Sequence, residues 1–184
     1  MTATLCSRNE NKLRELRAAL PGWEIELLAA DGFPEETGPA YVDNARAKAL
    51  YGREVGEPSA YMLGEDSGLE VEALGGEPGP HSARWSERPI DDLLARLTGV
   101  HDRGARYVCE LVCLVPEGGE LRGTGFLAGR IAEEPAGSEG FGYDPVFIPD
   151  GQTRTVAELG NAWKSRHSHR AQAARALLAA LATS

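Results

Sequence analysis

Two adjacent carboxylates directly follow an apolar run in the middle of the chain. The run, residues 61–63, leads through Gly64 into Glu65 and Asp66, and a Ser-Gly pair comes next at 67–68. Such a pair is typical of a turn. The sequence therefore predicts a strand that carries two acidic side chains to the rim of a sheet, followed by a bend. Oxygen ligands in that position suit a hard cation such as Mg²⁺.

A glycine-rich loop at residues 75–84 follows and ends on a cation, Arg84. Its glycines allow close approach of the backbone to a ligand. From these two segments alone, a strand end with solvated acids and an ordinary surface turn explains the pattern equally well. Other segments have to separate the two interpretations.

The length of 184 residues fits one domain, which we expect to span residues 1–184.

The net charge of −9 argues against a surface that binds nucleic acid. An acidic protein that binds a polyanion needs a local cluster of cations, a metal bridge, or both.

No apolar run approaches the roughly 20 residues that a membrane span requires, so we expect no membrane partner. The first six residues show no basic segment followed by an apolar stretch, which argues against a secretory signal.

The cysteines indicate the redox compartment. Cys109 and Cys113 lie four residues apart in a strand-like run, about 13 Å from each other and too far for a disulfide. With Cys6 they make an odd count of three cysteines, so a reducing, cytoplasmic location is predicted.

The apolar periodicity predicts a mixed α/β fold. Strands are expected at residues 2–6, 24–29, 60–63, 69–73, 106–115 and 121–131, with a hairpin turn at 116–119. Helices are expected at 41–53, 90–97 and 168–182, and one more presents Leu13, Leu16 and Leu20 before it ends at 21–22.

A polar loop from Ser7 to Lys12 lies between the first predicted strand and helix. Backbone N–H groups at a helix start attract anions, and Arg8 and Lys12 add positive charge. The spacing differs from that of a Walker A loop. An ordinary helix cap with surface charge remains an alternative.

Three further segments carry candidate chemistry. Glu35 and Glu36 lie in a loop that could face the acidic pair. The segment 140–145 alternates glycines with aromatic residues that could stack on a base, although a turn with core aromatics fits as well. Lys164 and the tripeptide 168–170 offer donors suited to an anion. A zinc site at His167 and His169 is not expected, because no further His or Cys lies nearby in sequence.

Five blocks in order make this chain similar to the inosine triphosphate pyrophosphatase family, enzymes that remove non-standard purine nucleoside triphosphates. The blocks are Ser7-Arg8-Asn9 through Lys12; Glu35 to Gly38 with Asp43-Asn44-Ala45 and Lys48-Ala49; Glu65 to Leu69 through Arg84; Gly140 to Pro145; and Lys164 with Ser168-His169-Arg170. They span nearly the whole chain.

The resemblance implies a role for each block. Glu35 and Asp66 would hold Mg²⁺, and Asp66 would also activate water. Ser7, Arg8, Asn9, Glu10, Asn11 and Lys12 would grip the triphosphate, and Ser67 and Arg84 would contact the substrate. Phe141, Gly142, Tyr143, Asp144, Lys164, His169 and Arg170 would surround the base and sugar.

The resemblance also implies an elongated mixed sheet with flanking helices, a central active-site cleft between two lobes, and a homodimer. The implied reaction is Mg²⁺-dependent hydrolysis of ITP, dITP or XTP to the monophosphate and pyrophosphate. A nucleotide-binding sensor without turnover is the alternative, but it would not need the acids at 35, 36, 65 and 66. A glycosidase with two carboxylates would leave the cations unexplained.

This chain departs from the family pattern at three places. It has Glu65-Asp66 where the family commonly has two aspartates, and Ser7 where threonine is common. The segment between Arg84 and Arg106 is short. The first departure bears on whether Glu65 binds metal, and the last on the dimer contacts.

Overall fold

A computed structural model describes residues 1–183 of the chain. Its strands are β1 (Thr2–Leu5), β2 (Glu24–Leu27), β3 (Tyr61–Val71), β4 (Pro78–Gly79), β5 (Gly104–Leu114), β6 (Glu120–Ile131) and β7 (Phe147–Pro149). Its helices are α1 (Glu10–Ala19), α2 (Tyr41–Val55), α3 (Pro89–Arg96), α4 (Val156–Leu159), α5 (Asn161–His167) and α6 (His169–Leu181). No helix among these residues is long and apolar enough to cross a membrane.

The strands form one seven-stranded mixed sheet in the order β2-β1-β3-β5-β6-β7, with β4 added on β3. β1 pairs in parallel with both β2 and β3, whereas β3 with β4 and β6 with β7 are antiparallel. The predicted mixed α/β class is confirmed.

The chain divides into two compact units. The first contains Met1–Asp66, Cys109–Gly125 and the residues from His169 onward. The second contains Ser67–Val108 and Phe126–Ser168. Strands β3, β5 and β6 each contribute residues to both units. The single domain over residues 1–184 stays a prediction.

In the first unit, helices cover both faces of the strands. Helix α1 begins where the Asn9 side chain accepts the backbone N–H groups of Asn11 and Lys12, at 2.9 and 3.2 Å. One face of the strands packs the α1 and α6 side chains in a buried cluster that includes Leu5, Leu13, Leu16, Leu63, Ala173 and Leu177. Helix α2 lies against the other face, where Ala45 and Ala49 contact Val112.

The second unit has a core of its own. Leu69 and Val71 from β3 pack with Leu93 of α3. The rings of Tyr107 and Phe147 lie 4.6 Å apart in the same cluster. Because each unit buries an independent set of apolar side chains, both provide rigid support for the polar residues that they carry.

The predicted bend at Ser67 and Gly68 is wrong, because β3 continues without interruption from Tyr61 to Val71. The glycine serves close packing instead of a turn: a Cβ atom on Gly68 would lie 2.2 Å from the carbonyl oxygen of Gly79 in β4. Glu65 and Asp66 tolerate burial inside this strand because lysine and arginine side chains pair with their carboxylates.

Candidate active site

The two adjacent carboxylates lie on opposite faces of β3, because successive side chains of a strand alternate. Glu65 shares its face with Leu63, which packs against α1 and α6. Asp66 shares the other face with Gly64, which lies against α2 at Ala45. The two adjacent side chains therefore point away from each other, and each has its own partners.

Glu65 is buried, and two cations contact its carboxylate. Its Oε1 accepts from Nε and Nη2 of Arg170, at 3.1 and 2.8 Å, and its Oε2 lies 2.6 Å from Nζ of Lys12. The Cys109 thiol also points at Oε1, at 3.4 Å. Burial by itself raises the pKa of Glu65, but the charges of Arg170, Lys12 and Lys48 outweigh burial and hold that pKa well below its ordinary range. Glu65 is a permanent anion.

Arg170 is 1% exposed and lies in the first turn of α6. Besides Glu65, it donates from Nη1 to Oε2 of Glu15 in α1, at 2.5 Å. Burial lowers the pKa of Arg170, but Glu65 and Glu15 outweigh it and raise that pKa. The guanidinium thus ties α6 to α1 and β3. Its predicted contact with the base stays a prediction.

Asp66 is held on the α2 side of the sheet. Its Oδ2 accepts from Nδ2 of Asn44 at 3.0 Å, and its Oδ1 lies 3.2 Å from Nζ of Lys48. The same ammonium group donates to the carbonyl oxygen of Glu65 at 3.0 Å and pairs with Glu36. Asn44 and Lys48 lie one helical turn apart on α2, which places both on the face toward Asp66.

The electrostatics of this pair suit a proton acceptor. Burial raises the pKa of Asp66 above its ordinary value, and the opposing charge of Lys48 and the bond from Asn44 do not cancel that effect. Burial lowers the pKa of Lys48, but Asp66, Glu65 and Glu36 outweigh it, so its pKa is raised and the ammonium stays charged. A carboxylate with a raised pKa is a stronger base than a solvated one.

The oxygens around Lys48 provide a test of whether a metal ion fits here. Glu36, Asp66 and the carbonyl of Glu65 all converge on this one positive centre. They are hard oxygen donors, the class that Mg²⁺ prefers, and Mg²⁺ commonly takes only one or two carboxylates while phosphate and water complete its shell. No group of three or more His, Cys, Asp or Glu side chains within residues 1–183 could hold a metal ion. The donor set fits an ion shared with a phosphate ligand.

Glu35 is exposed, and it is its neighbour Glu36 that meets the Lys48 ammonium. The assignment of Glu35 as a metal ligand stays a prediction. Glu36 was noted from sequence only as a loop carboxylate, and Asn44 and Lys48 only as matching residues. Their place on one face of a helix that follows the acidic loop is the signal that could have singled them out.

The loop before α1 is partly organised by its own side chains. Ser7 Oγ accepts the N–H group of Asn9 at 3.1 Å. The guanidinium of Arg8 lies 4.7 Å from the centre of the Phe33 ring and donates to the carbonyl of Asp31. Glu10 is exposed and Asn11 half-buried. Lys12 therefore reaches inward to Glu65 while Arg8 lies at the surface.

In the second unit, Asp144 organises the glycine-aromatic loop. Its Oδ2 accepts the N–H of Phe141 at 2.8 Å and the ammonium of Lys164 at 2.5 Å. Its Oδ1 accepts from the Tyr107 hydroxyl at 3.3 Å. The Lys164 Nζ also lies 4.0 Å from the centre of the Phe141 ring. Asp144 is 1% exposed, so its carboxylate holds the loop in place.

The glycines of this loop are required by its shape. Gly140 has φ of 81°, and a Cβ atom there would lie 2.2 Å from Oδ2 of Asp144.

The two aromatic residues of the loop differ in exposure. Tyr143 is buried and donates to the carbonyl of Ser82 at 3.3 Å. Burial raises the pKa of Tyr143 to about 12. Phe141 stays half-buried, so part of its ring is open to a ligand.

The remaining predicted residues are placed as follows. Ser67 is half-buried in β3, and Arg84 is exposed with Nη2 at 3.0 Å from Nδ1 of His81. Both belong to the second unit. His169 is 4% exposed at the start of α6 in the first unit. Their contacts with a substrate stay predictions.

Sequence reasoning missed one charged residue of the site, Glu15. It is 7% exposed and binds Arg170. The available signal was its position three residues after Lys12, on the same side of α1.

A family model described as the Ham1 family matches residues 3–180. This chain belongs to the Ham1 family. It is 47% identical to the dITP/XTP pyrophosphatase of Bdellovibrio bacteriovorus, in an alignment that covers 100% of this chain and 98% of the relative. It is 42% identical to the dITP/XTP pyrophosphatase of Gloeobacter violaceus, covering 95% and 91%. The family resemblance seen in the sequence is thereby confirmed.

Solved structures agree with the fold. The Staphylococcus aureus Ham1 protein superposes with a TM-score of 0.86 at 32% identity, covering 100% of this chain and 99% of that one. A HAM1 protein from Coxiella burnetii gives 0.85 at 33% identity, with both chains covered completely. Membership of the Ham1 family therefore rests on sequence and on structure.

Proposed function

We propose that this Ham1 family member hydrolyses non-standard purine nucleoside triphosphates, namely ITP, dITP and XTP, to the monophosphate and pyrophosphate. Its similarity to dITP/XTP pyrophosphatases supports this activity. The observation that carries it is Asp66: a buried carboxylate with a raised pKa, oriented by Asn44 and Lys48.

In this reaction a water molecule attacks the α-phosphorus, and the bond from that phosphorus to the bridging oxygen breaks. Asp66 accepts the proton of the attacking water, and its fixed orientation aims the receiving oxygen. Lys12 and Arg8 offset the charge that develops on the leaving pyrophosphate. Lys48 keeps Asp66 ionised until the proton is transferred.

We assign the cofactor as Mg²⁺, with Asp66 and one acid of the 35–36 pair as its protein ligands. When bound, the ion would neutralise phosphate charge and polarise the phosphoryl oxygens. The oxygens that converge on Lys48 support this assignment.

We assign base and sugar recognition to the loop at 140–145 and to Lys164, both in the second unit. The half-open ring of Phe141 can stack on a base. Tyr143 and Asp144 hold the loop through buried hydrogen bonds. We further propose a cytoplasmic homodimer, in line with the family resemblance and with three free buried cysteines.

A nucleotide panel tests the proposal. Purified protein is given ITP, dITP, XTP, GTP and ATP with and without Mg²⁺, and pyrophosphate and orthophosphate are scored separately. We expect pyrophosphate as the first product, only with the divalent ion. Orthophosphate as the primary product would overturn the reaction, and binding of ITP without any turnover would favour the sensor instead.

A further inference from the structure

We propose that Glu65 and Arg170 are positioning residues that fix the ammonium group of Lys12 for the phosphates of the ligand. This inference rests on the proposed function, because it gives a reason for the placement of one of its phosphate-binding cations. It assigns to Glu65 a task other than metal binding.

The contacts form a chain of alternating charge. The Lys12 ammonium lies 2.6 Å from Oε2 of Glu65, whose Oε1 accepts two bonds from Arg170. Arg170 in turn donates to Glu15, at 2.5 Å. Two anions and two cations balance, which is the condition under which buried charges are tolerated.

Lys12 is the most exposed of the four members of this chain of contacts. The side chains of Glu65 and Arg170 are 0% and 2% exposed, that of Glu15 is 8% exposed, and that of Lys12 is 15% exposed. A ligand can therefore reach Lys12 more readily than any other member. In this inference the remaining three act on the phosphates through the place that they give to Lys12.

Three separate elements supply the members of this network. Lys12 and Glu15 lie on α1, Glu65 on β3 and Arg170 on α6. A lysine side chain loses rotamer freedom when it is fixed, and this loss opposes binding if it occurs only when the ligand arrives. With its ammonium already held by Glu65, Lys12 has lost that freedom in the folded protein.

The sign of one substitution separates positioning from simple electrostatics. Glu65→Gln removes a negative charge near a site for polyphosphate, and charge alone would make anion binding tighter. Loss of the contact that orders Lys12 would make binding weaker. The two effects have opposite directions in the same measurement.

The experiment is a double-substitution cycle on the full chain. The affinity for inorganic tripolyphosphate is measured by calorimetry for the wild type, Glu65→Gln, Lys12→Gln and the double variant. We expect Glu65→Gln to weaken binding about tenfold in the wild type and less than about twofold once Lys12 is absent, because coupled residues are not additive. Unchanged or tighter binding in the wild-type background, or an equal loss in both backgrounds, would overturn the inference.

Tripolyphosphate separates this inference from the proposed function and from base contacts. A wild-type protein that binds tripolyphosphate but hydrolyses no nucleotide would overturn the proposed function while the cycle still decides the inference. Because the probe has no base, any loss caused by Arg170→Lys reports on the phosphate end. We expect Arg170→Lys to weaken tripolyphosphate binding when Lys12 is present. In the Lys12→Gln background the same substitution should have little effect.

Two further variants guard against misfolding. Glu65→Asp keeps the charge and shortens the side chain by one methylene, so it tests the contact with Lys12 in a protein whose charges stay balanced. We expect its loss of tripolyphosphate affinity to be smaller than that of Glu65→Gln. Glu110→Gln is the matched control, because its carboxylate pairs with Arg122 and Thr124 outside this network. Its tripolyphosphate affinity should equal that of the wild type, and an equal weakening in this control would overturn the inference.

Discussion

The ammonium group of Lys48 lies 3.2 Å from Oδ1 of Asp66. Lys48 lowers the pKa of this carboxylate, against the larger upward effect of burial. Its removal would leave a buried anion with less compensation, and the pKa of Asp66 would rise further. The proton acceptor would then ionise only at a higher pH.

We therefore predict that Lys48→Met shifts the acidic limb of the pH profile of kcat/KM to higher pH. A base must be deprotonated to act, so activity is lost as the pH falls through its pKa, and a higher pKa moves that loss upward. The profile is measured on ITP from pH 5 to pH 9. An unmoved limb would show that Asp66 is not the group that titrates.

Asp66→Asn should abolish turnover while the protein stays folded. The amide retains the shape of the carboxylate but can neither accept the proton nor contribute charge to an ion. We expect less than about a tenth of the wild-type kcat, a barrier increase above 1.4 kcal/mol. Asp91→Asn, an exposed acid in α3, is the control and should leave kcat unchanged.

The protein should prefer bases with a carbonyl at C6. Hypoxanthine and xanthine carry this carbonyl, whereas adenine has an amino group, and a donor facing another donor in a buried pocket costs about 1–3 kcal/mol. ITP, dITP and XTP should be hydrolysed well, GTP weakly and ATP hardly at all, as judged by kcat/KM. Equal efficiency on ATP and ITP would contradict the assignment of the base pocket.

The pair Asp144 and Lys164 should contribute to stability. Both side chains are almost fully buried, at 2% and 4% exposure. Removal of one partner leaves an uncompensated buried charge, so Asp144→Asn and Lys164→Met should each lower the free energy of unfolding by about 3–5 kcal/mol. Denaturant unfolding of both variants and of the double variant measures this. The double variant should lose less than the sum.

The buried thiols should be unreactive in the native protein. Burial raises the pKa of Cys6 to about 11 and that of Cys113 to about 12, so neither is a thiolate at pH 8. A thiol reagent at pH 8 should label none of the three cysteines until denaturant is added. The same thiols should make stability depend on pH. Because the pKa values of Cys6 and Cys113 are higher in the folded than in the unfolded protein, the free energy of unfolding should fall as the pH rises from about 9 towards 11.

The long elements could be predicted from the sequence because they carry clear periodicity. Helix α6 was expected at 168–182 and is His169–Leu181, and β6 was expected at 121–131 and is Glu120–Ile131. Short elements such as β7, α4 and α5 were missed. Three to seven residues are too few for a period of 2 or 3.6 to emerge.

The site was predictable in composition but not in pairing. The residues from Glu65 to Ser67 were identified, yet they were interpreted as the approach to a turn, because polar residues with a glycine usually end a strand. The partners that allow them to continue through a buried strand lie far away in sequence, at Lys12, Lys48 and Arg170. Contacts of this range depend on the tertiary fold, which a local pattern cannot encode.

The uninterrupted strand β3 also restricts how the length of the chain can vary. Gain or loss of a single residue between Leu63 and Asp66 would exchange the two faces of the strand for everything beyond it. The carboxylate now bound by Arg170 would be turned towards Lys48, and its neighbour would be turned the other way. Insertions and deletions are therefore more tolerable in exposed connecting segments such as 117–119, whereas this strand must keep a constant residue count.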